Sequence, residues 1–124
     1  VKRTVTLTIA SLLTILLLIV HLAQDSVHFR DGTTRAGIGY LVAMAILSVV
    51  MYGALVLAGR RSGYIIMIIG SLGGLAMPVI HVRGLAGIRS DFFFVWTLLA
   101  LGVISLFSLI LSISALRSRQ SSPR

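Results

Sequence analysis

The chain has 124 residues, 57% of them hydrophobic, with a mean hydropathy of +1.05; soluble domains run about 45–50% apolar, so this is a membrane composition. Eleven Lys and Arg face three acidic residues, for a formal charge of +8. Cysteine, glutamate and asparagine are absent, which excludes disulfides, thiolate metal sites, thiol redox chemistry, Glu-x-x-His di-iron centres and sequon glycosylation.

In a soluble protein such a charge would point to nucleic acid. Here the basic residues stand at the ends of apolar runs, where they set topology and meet anionic headgroups. The expected partner is membrane lipid, and no nucleic-acid partner is expected.

Lys2 and Arg3 precede a first apolar segment, about 4–24. About 20 helical residues cross a hydrocarbon core of ~30 Å. A basic start and an apolar middle also suit a signal peptide, but His21-Leu22-Ala23 puts a bulky residue where a small one is required, so the segment reads as a span. Thr4, Thr8, Ser11 and Thr14 recur at i+3/i+4 spacing, suited to bonding their own backbone or a neighbouring helix.

The segment closes on His21, Asp25 and His28. At about 100° per residue these share an arc of ~60° on one helix face. A carboxylate between imidazoles can orient a tautomer, and neutral imidazole is the commonest protein metal ligand.

Asp31-Gly32-Thr33-Thr34 is a turn signal. The second span is expected at about 36–59, with Tyr40 at the membrane interface. Gly37, Met44, Ser48, Met51 and Leu55 share a face of it, read as flexible packing and not a copper stripe. The short basic link Gly59-Arg60-Arg61-Ser62-Gly63 makes the second and third spans antiparallel neighbours.

The third span, about 64–82, opens on a second interfacial tyrosine, Tyr64. Gly63, Met67, Gly70, Gly74, Met77 and His81 lie within an arc of ~80° on it. Gly70 and Gly74 form a small-xxx-small pair that admits a close neighbour, and Pro78 is expected to kink the last turns.

After a glycine-containing loop, Ser90 and Asp91 are N-cap candidates for a fourth span at about 91–116. Phe92, Phe93, Phe94 and Trp96 read as an interfacial aromatic belt. Gly102, Ser105, Ser108 and Ser112 form a small, polar packing stripe. Residues 117–124 form a basic tail, expected to be disordered.

The expected architecture is an all-α integral membrane protein: one antiparallel four-transmembrane-helix bundle over residues 1–116. Lys2, Arg3, Arg60, Arg61, Arg117, Arg119 and Arg124 fall on the side of the termini, against Arg30, Arg35, Arg83 and Arg89 on the other. The positive-inside rule then makes both termini cytoplasmic and the tail a cytoplasmic one. The Arg-rich, Lys-poor composition suits a bacterial inner membrane. All histidines and aspartates fall on the outer side.

The leading expectation is a non-catalytic accessory or structural subunit of a membrane assembly. It would associate with other membrane subunits or with its own copies through Gly70, Gly74, Gly102, Ser105 and Ser112, and need no cofactor. The alternative is an outer-face site for a metal ion or b-type haem, built by His21, Asp25, His28 and His81. His21, Asp25 and His81 are expected to approach one another with His28 at the rim; in the cofactor-free version Asp25 bonds a histidine or Arg83 and pins two helix ends together. A small transporter or channel subunit is the second alternative. Small four-span multidrug exporters rely on an embedded glutamate, and four-helix quinone enzymes that oxidise dithiols rely on cysteines; this chain has neither.

Overall fold

A helix satisfies every backbone polar group within its own segment, which is what a single span in lipid requires. The computed structural model describes residues 2–28, 34–83 and 92–120, with side chains except at 27, 28, 34–37 and 120. It contains α1 (Lys2–His28), α2 (Thr34–Leu55), α3 (Arg61–Val82) and α4 (Phe92–Gln120). Even 22 residues rise about 33 Å, and all four helices are long and apolar enough to cross a membrane. No strand occurs among the described residues.

The helices run up and down. Arg3 on α1 hydrogen-bonds Ser114 and Ser118 on α4, which joins the ends bearing the termini. At the other end Gln24 on α1 meets Thr97 on α4. Helix α4 packs along both α1 and α3, and α1 and α3 touch across the diagonal, whereas among the described residues α2 touches α1 and α3 but not α4. The core is thus a triangle of α1, α3 and α4, with α2 laid against one side. Outward-facing side chains such as Leu41, Val103 and Ile69 stay uncovered, as lipid-facing positions do.

Small residues let the helices close on one another, α2 on α3 included. A Cβ at Gly70 would stand 2.5 Å from Val50 Cγ1, one at Gly74 would run into Ser105 and Thr14, and one at Gly102 would lie 3.2 Å from Pro78 Cγ. Ser105, Ser108 and Ser112 are fully buried. The five residues expected to mediate association therefore make their close contacts within the chain. Ser108 joins three helices: its Oγ lies 3.1 Å from Ser11 Oγ and accepts a hydrogen bond of 3.0 Å from Ser71 Oγ.

Several boundaries differ from the sequence reading: α1 runs about one turn past residue 24, to His28, and α3 begins at Arg61 and not near 64. Helix α2 stops at Leu55 and not near Gly59. The Tyr52 carbonyl accepts from both Val56 N–H (2.9 Å) and Leu57 N–H (3.2 Å), and Gly59 adopts φ +77°, a left-handed turn conformation. Val56, Leu57 and Ala58 are apolar, and hydropathy does not register the turn. Helix α4 runs to Gln120, so the expected tail begins as helix, its last turns held by the bonds from Arg3. Helix α3 passes through Pro78 without a break.

The turn at 31–33, the connection at 84–91 with Ser90 and Asp91, and residues 121–124 lie outside the described residues, as does the side chain of His28.

Candidate functional site at the end opposite the termini

His21 and Asp25 stand one turn apart on α1, so their side chains leave the same face. His81 reaches them from the last turn of α3. Asp25 Oδ2 lies 3.6 Å from His21 Nε2 and 3.9 Å from His81 Nε2. Both imidazoles are buried, at 0% and 2% exposure, while Asp25 keeps 20% and so opens the cluster toward the helix ends.

The polar atoms here lack the partners that buried groups normally have. Both ring nitrogens of His21, Nε2 of His81 and Oδ1 of Asp25 are buried without a hydrogen bond. The two distances to Asp25 Oδ2 are too long to count as hydrogen bonds. His81 Nδ1 does have a partner, the Met77 carbonyl at 2.9 Å. A carbonyl only accepts, so Nδ1 carries a proton and Nε2 is the ring atom turned toward the cluster, with a lone pair to offer when the ring is neutral.

Phe94, on the first turn of α4, closes the site. Its ring centroid lies 5.2 Å from those of both His21 and His81, which meet each other edge to face at 4.8 Å and 78°. Beside it Thr97 Oγ1 lies 2.8 Å from Gln24 Oε1, tying α4 to α1.

One ligand atom from each of His21, Asp25 and His81 can be chosen so that all lie within 4.8 Å of one another. Around a tetrahedral ion with ligands at about 2.0–2.1 Å, neighbouring ligand atoms lie about 3.3 Å apart. The cluster needs only a modest closure to reach that spacing. The donor set, two imidazoles and a carboxylate, suits zinc or iron(II) better than a soft ion. The backbone bond on His81 Nδ1 is the outer support that metal-bound histidines usually have. A b-type haem does not fit: the imidazoles touch each other and Phe94 covers both, leaving no slot for a macrocycle.

Among the described residues Asp25 has the two histidines as its ionisable neighbours, while Arg83, the other partner considered, is exposed at the end of α3. Of the residues expected at the interface, Phe92, Phe93 and Trp96 are exposed and Tyr40 is half-buried. Phe94 and Tyr64 instead turn inward, at 3% and 5% exposure. Consecutive helical residues point about 100° apart, so Phe92, Phe93 and Phe94 cannot all face outward. A signal for Phe94 was present: stepping back from Ser112 through Ser108, Ser105, Leu101 and Leu98 at alternating intervals of four and three leads to Phe94.

Comparison with protein-family models, curated proteins and solved structures finds no match to this chain.

Proposed function

We propose that this integral membrane protein binds one divalent transition-metal ion of the zinc class between His21, Asp25 and His81, and that the ion fastens α1 to α3. The carrying observation is the set of buried, unpartnered nitrogen and oxygen atoms from two helices, aimed at one another at near-ligand spacing. In this reading the ion is structural, and the protein is a non-catalytic component of its membrane.

The test is zinc titration of purified protein in detergent, followed by elemental analysis. One zinc per chain is expected, with affinity lowered at least about tenfold by His21→Ala, Asp25→Asn or His81→Ala. X-ray absorption should give metal–nitrogen distances of about 2.0–2.1 Å. Binding that is weak and unchanged by all three substitutions would exclude the site.

The second reading is a metal-free pin, in which Asp25 holds the two histidines directly or through water. The 3.6 and 3.9 Å separations favour it to the extent that a small side-chain shift would turn them into hydrogen bonds. It predicts that Asp25→Asn destabilises the bundle equally with and without zinc.

An accessory role in a larger membrane assembly draws support from α2, whose outer surface is uncovered and which leaves α4 untouched. The seven-to-four excess of basic residues on the side of the termini supports cytoplasmic termini and, with the Arg-rich composition, a bacterial inner membrane. Reporter fusions at Arg124 should be active only in a cytoplasmic format; activity only on the other side would reverse the orientation.

A further inference from the structure

The end that bears the termini carries a different chemistry. A cavity of about 430 Å³ opens there, lined by Arg3, Thr4, Tyr64, Ala115, Ser118 and Arg119, so α1, α3 and α4 all contribute. Tyr64 is buried, and the Arg119 guanidinium stands 6.0 Å over its ring. Arg3 donates hydrogen bonds to Ser114 and Ser118, neutral groups that orient the guanidinium without cancelling its charge.

Among the described residues the charged groups around the cavity are all cationic. Lys2 and Arg117 flank the two arginines in sequence, and the α2–α3 turn brings Arg60 and Arg61 to the same end, since a Cβ on Gly59 would lie 3.9 Å from Thr4. Asp25, the one acidic side chain among the described residues, belongs to the opposite end. Two arginines with neutral partners on a concave wall call for an anion, and arginine suits phosphate.

A second cavity, of about 410 Å³, adjoins the first. It is lined by Ile110, Ile113, Ser114, Arg117 and Ser118. Ser118 belongs to both cavities, and Arg3 bonds Ser114 and Ser118, so it stands where they meet. Ile110 is exposed and faces away from the core. A phosphate in the first cavity would therefore have an apolar groove beside it, which suits a ligand that carries acyl chains over a free ion.

We propose that the cavity between Arg3 and Arg119 binds the phosphate of one anionic phospholipid, with an acyl chain laid over Ile110 and Ile113. The site is separate from the His21–Asp25–His81 cluster and does not depend on a metal there.

The test uses the full chain in detergent, with lipid retention followed by native mass spectrometry. Phosphatidylglycerol and phosphatidylcholine are offered together, since both carry phosphate and only the first is anionic. One phosphatidylglycerol per chain is expected, preferred by about tenfold or more. Arg3→Gln with Arg119→Gln should abolish the preference, while Arg60→Gln with Arg61→Gln, which removes the same charge outside the cavity, should preserve it. Wild-type protein that shows no preference overturns the proposal, and this holds whether or not the variants fold. So does equal loss in the two double variants, which would mean a diffuse basic collar. Displacement of the lipid by millimolar inorganic phosphate would assign the site to a free anion and likewise overturn the lipid proposal.

Discussion

Ser108 and Ser105 are both fully buried on α4 but differ in what they hold. Ser108 pairs with Ser11 and Ser71, whereas Ser105 Oγ has no partner. Ser108→Ala should therefore cost about 1 kcal/mol, because two hydroxyls lose their partner in a water-free interior. Ser105→Ala removes an unsatisfied group and should be neutral or stabilising. Unfolding titrations in mixed micelles would check the pair; equal losses would mean that the seam acts by shape alone. The glycines of α3 offer a second contrast. Gly74 leaves no room for a side chain against Ser105 and Thr14, while a Cβ at Gly73 meets nothing within 4 Å. Gly74→Leu should force α3 from α4 and α1, and Gly73→Ala should stabilise by up to about 1 kcal/mol through helix propensity. The same titrations would reveal the opposite signs.

At the scale of elements, the α2–α3 connection governs how two helices reverse. Gly59 needs its left-handed φ, and a Cβ at Gly63 would run into the Leu57 backbone carbonyl. Backbone atoms cannot turn aside as a flexible side chain can. Gly63→Ala should lower the melting temperature more than Gly59→Ala, whose cost is about 1 kcal/mol. Thermal melts in detergent would rank the two, and a Gly63→Ala variant as stable as wild type would refute the turn geometry. This stretch was only partly legible in sequence. The basic link announced a short reversal, but the apolar Val56-Leu57-Ala58 concealed where α2 ends.

For the whole molecule, the packing predicts unequal stability. Helices α1, α3 and α4 form the closed triangle, and α2 has contacts on one side only. Amide hydrogen exchange in detergent should be fastest in α2 among the spans, since regions with fewer packed neighbours open first. If metal bridges α1 to α3, saturating zinc should raise the melting temperature through mass action, by an amount that His81→Ala abolishes. Protection that is uniform across the four helices would contradict the triangular arrangement.

Composition and periodicity determined the number of spans, their helical form and their alternation, because lipid leaves a single apolar segment of about 20 residues no other way to satisfy its backbone. Periodicity also determined that His21 and Asp25 share a face, since one turn of helix separates them. That His81 should meet them followed in sequence only from its alignment with Gly70 and Gly74, and only the diagonal contact of α1 with α3 brings its ring to Asp25. Tertiary structure also decided that Phe94 lies under the histidines and that Arg3 and Arg119 line one cavity. Except for Phe94 with His81, these pairings join residues more than 50 positions apart in the chain, on different helices. A one-dimensional pattern specifies which face of a helix is small or polar, but not which partner that face will meet or at what height, because those depend on how the helices tilt and slide together.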